Sequence, residues 1–161
     1  MKRLHVISII ILLVAFLGQG LTFGQSEQDG VKLLREGREI ENKAQSRADL
    51  ERAIRKYEEA LAVFEKTKAD RGKALALYDT GKVYFNLSQY SKALECYEES
   101  LPIVRKIGDV QGEGTMLSNI GSVYSSLGQY SKALEYYEKS LPIKQKIGDV
   151  KGEGVTLGNI G

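Results

Sequence analysis

A forty-residue passage occurs twice in succession in this chain, and it constrains the fold more than any other feature of the sequence. When residues 81–120 are aligned without a gap to residues 121–160, 28 of the 40 positions are identical. Tandem self-similarity at this period is typical of solenoid proteins, in which small structural units stack on one another. A unit of this size cannot bury its own apolar face, so each unit needs a neighbour.

Each unit divides into two amphipathic helical segments, with apolar residues three and four positions apart. On one face the first segment carries Leu117, Ile120, Gly121 and Tyr124, and the second carries Ala133, Leu134, Tyr137, Ser140 and Leu141. Asp109 and Ser131 are predicted as N-caps, and Gly128 as the left-handed residue that ends the first helix. The pattern predicts an antiparallel helix pair. Pro102 and Pro142 predict a kink or an early end of the second helix.

These residues resemble the tetratricopeptide repeat, which has Leu-Gly and an aromatic on its first helix and Ala, an aromatic and a small residue on its second. The matching residues are Leu77, Thr80, Gly81, Tyr84, Ala93, Tyr97 and Ser100, and then Leu117, Ile120, Gly121, Tyr124, Ala133, Tyr137 and Ser140. The forty-residue spacing is most similar to the longer repeats of kinesin light chains, partner-of-inscuteable-type scaffolds and bacterial multi-repeat proteins. The resemblance implies an all-α fold over residues 31–161, a right-handed α-solenoid of antiparallel helix pairs. Small Gly and Ala side chains would let the paired helices approach closely.

The N-terminal residues have the layout of a secretory signal peptide: Lys2 and Arg3, then an apolar stretch over 6–17, then small residues. An exported protein, periplasmic or secreted, is therefore expected, and an uncleaved N-terminal anchor is the alternative. The predicted division is a signal peptide over 1–24, a polar linker over 25–30, a divergent first repeat over 31–69, a second repeat over 70–109, a third over 110–149 and the start of a truncated fourth over 150–161.

The first and last units depart from the pattern. The spacing from Gly37 to Ala53 predicts a connection four residues longer than the one between Gly81 and Ala93. The last unit has no second helix, so its apolar stripe is expected to be uncovered and the chain to be part of a longer repeat protein. The sequence specifies neither the total number of repeats nor a C-terminal effector domain.

Composition argues against catalysis. The single histidine, His5, falls in the predicted signal peptide, and Cys96 is the single cysteine, replaced by Tyr136 one period later. A mature chain without imidazole lacks the usual general base and the usual metal ligand. We therefore predict no enzyme activity, no cofactor and no metal site. Without Lys2 and Arg3 the chain has 21 basic and 21 acidic residues, a balance that does not favour a nucleic-acid partner.

The first helices of such a stack are expected to line its concave side, where side chains outside the packing stripe can meet a ligand. Asp79 and Ser118 fall on this face by their spacing from the repeat glycines. Phe85 is predicted either to contact a ligand or to pack against the first unit. Asn119 is similar to the groove asparagine of related repeat proteins, and the resemblance implies that it holds a peptide backbone. The predicted peptide-binding residues are Tyr78, Lys82, Phe85, Asn86, Asn119 and Ser122.

The sequence thus predicts an exported, non-catalytic scaffold that binds a protein or peptide segment in a concave groove. The alternative is the extracytoplasmic sensor or adaptor part of a longer signalling protein or peptidase. Self-association through the exposed C-terminal repeat face is a further alternative, and membrane contact is expected only if the N-terminal segment is uncleaved. The sequence does not identify the partner or the oligomeric state.

Overall fold

The computed structural model describes residues 26–160, and their regular structure is entirely helical. Consecutive helices pack against each other from α2 to α7, as in an α-solenoid of helix pairs. The all-α prediction is confirmed, whereas the predicted signal peptide lies outside the described residues. The helices are α1 (26–42), α2 (Arg47–Thr67), α3 (Asp70–Asn86), α4 (Tyr90–Lys106), α5 (Val110–Ser126), α6 (Tyr130–Ile147) and α7 (Val150–Ile160).

Each repeat glycine lies against a tyrosine ring of the helix that follows it. A Cβ atom added to Gly81 would come within 2.6 Å of the Tyr97 ring, and one added to Gly121 within 2.7 Å of the Tyr137 ring. Gly37 meets the ring of Tyr57 in the same way. Interiors packed this closely have no room for the extra carbon, so the glycines let the two helices of each pair approach.

The core forms two adjoining clusters along the stack. One contains buried side chains of α1, α2 and α3, including Tyr57 and Phe64, and the other contains side chains of α3 to α6, including Tyr97 and Ile120. The half-buried Tyr84 packs against both clusters. The apolar core therefore continues from unit to unit, as repeat stacking requires.

The helix termini agree with two of the three predicted caps. The Asp109 side chain accepts a hydrogen bond from the Gly112 backbone N–H at 2.8 Å, and Gly128 has φ +70°, which confirms both predictions. The prediction for Ser131 is wrong, because α6 already begins at Tyr130 and its N-cap, Gln129, makes no side-chain capping bond.

The prolines do not end their helices. Helix α4 continues past Pro102 to Lys106, and α6 continues past Pro142 to Ile147. Both prolines are exposed, so water can solvate the carbonyl group that lacks a helical partner. Of the two predicted outcomes, an early helix end is therefore wrong.

The first unit differs from its prediction at two places. Residues 26–30, expected to be part of a polar linker, are helical, and Gly30 is buried against the ring of Phe64. The extra residues do not produce a connection four residues longer: α1 and α2 are joined by residues 43–46, against 87–89 in the next pair. Most of the insertion extends α2 at its N-terminus instead, where the Ser46 side chain accepts a bond from the backbone N–H of Asp49. A helical turn satisfies backbone groups that a longer loop would leave to solvent.

The third repeat and α7 expose apolar side chains, some of which are covered at the equivalent positions of the second repeat. Tyr90 and Leu94 are half-buried against the second cluster, whereas Tyr130 and Leu134, forty residues later, are 72% and 39% exposed. On α7, Val155 and Leu157 are also exposed. Of the predicted stripe on α7, Leu157 is thus uncovered, whereas Ile160 is half-buried.

Candidate functional site

The first helices of the units, α1, α3, α5 and α7, lie side by side and form one face of the stack, which we call the groove face. Ion pairs join α1 to α3, apolar side chains of α3 and α5 share the second cluster, and Ser118 of α5 bonds to Thr156 of α7. The groove face therefore has three junctions between neighbouring first helices. They differ in chemistry although the repeat is nearly the same.

The α1/α3 junction is closed by charged side chains. Arg38 Nε donates to Asp79 Oδ2 at 2.7 Å, and the Asp79 side chain is only 2% exposed. The two oxygens of Glu41 are both engaged, one by Lys82 Nζ at 3.0 Å and the other by the Tyr57 hydroxyl at 2.8 Å. These bonds hold α1, α2 and α3 together and occupy the polar groups of this junction.

Burial dominates the electrostatics there. It raises the pKa of the Asp79 carboxyl above its ordinary value, although the guanidinium of Arg38 opposes that shift. It also raises the pKa of Tyr57, and the bond to Glu41 adds to the rise. The Tyr57 hydroxyl is therefore protonated near neutral pH.

The α3/α5 junction is open. A cleft of about 270 Å³ lies between the N-terminal halves of the two helices, with α4 residues at its base. Its wall is mainly apolar, and no ion pair among the described residues crosses it. The lining residues are Arg71, Ala74, Leu75, Tyr78, Ser100, Val104, Ile107, Asp109, Gln111, Gly112, Thr115 and Met116.

The α5/α7 junction is polar. The Ser118 hydroxyl lies 2.9 Å from that of Ser140 and 3.3 Å from that of Thr156, and all three residues are buried. Beside them Lys144 is only 7% exposed, and its Nζ donates to the Gly152 carbonyl at 3.3 Å. Burial lowers the pKa of this amine.

The predicted site residues on α3 have different surroundings. Tyr78 lines the α3/α5 cleft, and its ring centroid lies 6.4 Å from that of Tyr97. Lys82 is paired with Glu41. Asn86 is exposed at the end of α3, in a surface depression beside the α1–α2 connection. Of this group, only Tyr78 lies in the cleft.

Phe85 does not pack against the first unit, and its contact with a ligand stays a prediction. Its ring is half-buried and meets that of Tyr90 edge-on, with centroids 5.6 Å apart. It belongs to the cluster of α3 to α6, so the prediction that it packs against the first unit is wrong.

The predicted residues on α5 do not line the cleft. Asn119 is half-buried, and Ser122 accepts a bond from the Tyr137 hydroxyl at 3.2 Å while donating to the Ser118 carbonyl at 3.1 Å. The expectation that Asp79 and Ser118 are free on this face is wrong, because both side chains are buried and hydrogen-bonded between helices.

Several cleft residues were missed from the sequence, chiefly Arg71, Leu75, Gln111 and Thr115. The signal was present, since positions 71, 75, 78 and 82 fall on one helical face. Continuing the face of Tyr78 and Lys82 towards the N-terminus of α3 would have found Leu75 and Arg71.

Other chemistry on the described part of the chain is sparse. No group of three or more His, Cys, Asp or Glu side chains within residues 26–160 is placed to hold a metal ion. Burial raises the pKa of the Cys96 thiol to about 12, so it is protonated and a poor nucleophile. None of the described helices is long and apolar enough to cross a bilayer.

Solved structures with the same fold include tetratricopeptide domains. The TPR domain of Arabidopsis FLU has a TM-score of 0.68 at 18% identity, and the match covers 75% of this chain and 98% of that one. The N-terminal domain of stress-induced protein-1 (STI-1) from C. elegans has a TM-score of 0.66 at 15% identity, covering 83% and 96%. BtubC (BKLC) from P. vanneervenii has a TM-score of 0.58 at 18% identity, covering 81% and 59%. No curated protein matches the sequence.

The family model described as tetratricopeptide repeat matches residues 42–106 and, in a second overlapping register, residues 73–146. Together the two matches span more than half of the chain and include α2 to α6 almost completely. The helix pairs, the glycine–tyrosine contacts and the solved structures of the same fold agree with this assignment. The chain belongs to the tetratricopeptide repeat family, whose fold is that of a protein–protein interaction scaffold.

Proposed function

We propose that this chain is an exported, non-catalytic scaffold that holds a segment of a partner protein in the α3/α5 cleft. The observation that carries the proposal is the cleft itself, an open, mainly apolar space between two first helices. Leu75 is 40% exposed there, although the core does not require an apolar side chain at that position, which Thr115 fills one repeat later. Exposed apolar surface with a polar rim is typical of protein-binding sites.

The residues around the cleft suit a polypeptide ligand. Leu75, Tyr78 and Met116 supply apolar contact for one large side chain. Asn119 and Ser122 on α5, with Lys82 and Asn86 on α3, supply polar groups beyond it, and the half-buried Phe85 packs against the cluster of α3 to α6. A few buried anchors with a polar surround account for most of the affinity in interfaces of this kind.

Binding of a peptide in the cleft is tested by panning a phage-displayed library of short random peptides against the purified protein. Leu75→Lys places a charge in the cleft, and we expect it to abolish enrichment of the selected peptides. Leu134→Lys is the matched control, because Leu134 is 39% exposed but lies on α6, away from the cleft. No enrichment on the wild type, or equal loss with both variants, would refute docking in this cleft.

Export is proposed from the N-terminal sequence and is tested separately. The full chain is expressed in a Gram-negative host, the cells are fractionated, and the N-terminus of the product is determined by mass spectrometry. Periplasmic protein that begins after residue 20 or 24 is expected. Intact protein in the membrane fraction would favour the anchored alternative, and intact protein in the cytoplasm would refute export.

A further inference from the structure

The α3/α5 cleft has a valine at its base, at a repeat position where the neighbouring units have larger side chains. This residue is Val104, which is buried and lines the cleft from α4. The equivalent residue is Phe64 forty positions earlier and Lys144 forty positions later. The space between two neighbouring first helices is therefore bounded, from the second helix, by a side chain that changes in size from unit to unit.

In the first unit an aromatic ring occupies this place. Phe64 is only 1% exposed, and its ring contacts Gly30 of α1 and Gly72 of α3. A Cβ atom added to Gly30 would come within 2.7 Å of the ring, and one added to Gly72 would meet the ring in the same way. Both walls are glycine because the ring takes the space that their side chains would need.

The α3/α5 junction keeps small walls but has no such ring. Counted from the repeat glycine of each unit, Ala74 takes the place of Gly30, and Gly112 takes that of Gly72. A Cβ atom added to Gly112 would lie 3.1 Å from a methyl group of Val104. The cleft of about 270 Å³ lies over this methyl group. Because valine lacks a ring, small walls that accommodate one in the first unit here border an open space.

The other apolar side chains of the cleft suit an aromatic ligand group. The half-buried ring of Tyr78 and the buried thioether of Met116 both line the cleft, and Leu75 lies at its edge. Aromatic rings gain stability from edge or offset contact with another ring. They also gain from contact with a thioether sulphur. An aromatic side chain would therefore bind here more tightly than an aliphatic side chain of similar size.

We infer that Val104 determines which side chain the cleft accepts. The partner segment brings an aromatic side chain, whose ring lies between Ala74 and Gly112 as the ring of Phe64 lies between α1 and α3. The partner thus supplies the ring that the second repeat lacks. The inference rests on the proposed docking in the cleft, and it adds the class of side chain that binds there and the residue that selects it.

The preference for an aromatic ring is tested with the peptides enriched by panning. We expect those that depend on Leu75 to share an aromatic residue. One such peptide is synthesised with phenylalanine, leucine or alanine at that position, each with blocked termini, and binding is measured by calorimetry. The phenylalanine form should bind the wild type about fivefold more tightly than the leucine form, because of the ring contacts. It should bind about thirtyfold more tightly than the alanine form, as expected for a buried anchor.

The role of Val104 is tested by enlarging it. Val104→Phe places a ring in the second repeat and should weaken binding of the phenylalanine peptide by about tenfold or more. Val104→Leu adds one carbon and should remove the preference for phenylalanine over leucine. It decides the question alone if urea denaturation shows that Val104→Phe does not fold. Val155→Phe is the matched control, since it adds the same ring at a 55% exposed position on α7 that does not line the cleft. It should bind like the wild type.

The outcomes separate this inference from the proposed docking. Leu75-dependent peptides that carry an aliphatic anchor would overturn the inference and leave docking in the cleft intact. Unchanged binding by a folded Val104→Phe, or an aromatic preference that persists in Val104→Leu, would also overturn it. An absence of Leu75-dependent peptides would refute both.

Discussion

The α1/α3 and α3/α5 junctions occupy equivalent places in successive repeats, yet ion pairs cross the first and, among the described residues, none crosses the second. Across the first, Arg38 is paired with the buried Asp79 at 2.7 Å. The equivalent residues across the second are Lys82 and Asn119, and Lys82 is instead paired with Glu41, on the α1 side. The difference shows that a repeat can keep its helix packing while a few side chains decide whether ion pairs join neighbouring first helices.

The Arg38–Asp79 pair of the closed junction, in which the Asp79 side chain is buried and that of Arg38 is 46% exposed, should give the largest effect. We expect Arg38→Ala to lower the free energy of unfolding by about 3 kcal/mol, because it leaves the buried Asp79 carboxylate without its partner. Urea denaturation measures this loss. In the double variant Arg38→Ala, Asp79→Asn most of the stability should return, since Asn is the residue at the equivalent position of the next repeat. A loss below about 0.5 kcal/mol for the single variant would mean that charge does not close this junction.

The loss of stability in Arg38→Ala is also expected to depend on pH. Burial raises the pKa of Asp79 above the ordinary 3.8, so the folded state binds a proton more readily than the unfolded state. Stability associated with this group is therefore lost as the pH rises through the folded-state pKa. The deficit of Arg38→Ala relative to wild type should be largest near neutral pH and smaller near the ordinary pKa. A deficit that grows on acidification would contradict this reasoning.

Tyr57 and Tyr137 occupy equivalent positions in the first and third repeats, so they allow a second comparison of charged and uncharged contacts. The Tyr57 hydroxyl donates to a carboxylate at 2.8 Å, whereas that of Tyr137 donates to the Ser122 hydroxyl at 3.2 Å. Because bonds to charged groups are stronger, Tyr57→Phe should cost about 2 kcal/mol and Tyr137→Phe about 1 kcal/mol or less. Thermal and urea unfolding measure both. Equal costs would show that the charged network adds nothing to the closed junction.

Replacement of Lys144 by Val should stabilise the protein by about 1 kcal/mol at neutral pH, because it removes a charge from a buried position. Burial lowers the pKa of Lys144 below the ordinary 10.5, so the unfolded state binds the proton more tightly. Wild-type stability should therefore rise, relative to Lys144→Val, as the pH increases through the folded-state pKa towards 10.5. Unfolding curves of both proteins across this range provide the measurement. A destabilised variant would indicate that the lysine serves packing alone.

The smallest effect is expected when the open junction receives the carboxylate of the closed one. Asn119→Asp places an acidic group on α5, opposite Lys82, and a half-exposed pair of this kind contributes at most about 1 kcal/mol. A double-mutant cycle with Lys82→Met measures the coupling. Coupling near zero would show that Lys82 remains with Glu41 and that a carboxylate alone does not close the junction.

Much of the fold could be read from residue spacing because the periodic residues are those that pack. Gly81 and Gly121 were recognisable as close-approach positions, and Asp109 and Gly128 as helix ends, since caps and tight contacts depend on local sequence. The residue at which α6 begins, near Ser131, and the conformation of the polar insertion near Ser46 were less predictable. There, several backbone conformations satisfy the same residues, and packing against neighbouring helices decides between them.

The groove face was harder to predict than the core. A helical face can be drawn from one sequence, and it correctly included Tyr78, but it also included Asp79 and Ser118, which are buried between helices. Phe85 likewise reached the cluster of α3 to α6 rather than the first unit. Whether such side chains are exposed to solvent depends on the distance between adjacent first helices. The sequence of one helix alone does not determine that distance.

By itself, the sequence determined that this protein is a stack of helix pairs, because a forty-residue period with glycine, alanine and tyrosine at fixed positions leaves no other way to bury its apolar stripes. Only the tertiary structure decided which junction is closed, which is open and which holds a buried lysine. These properties arise between residues about forty positions apart, as with Arg38 and Asp79, where the distance and the surrounding burial set the interaction and the residue types alone do not.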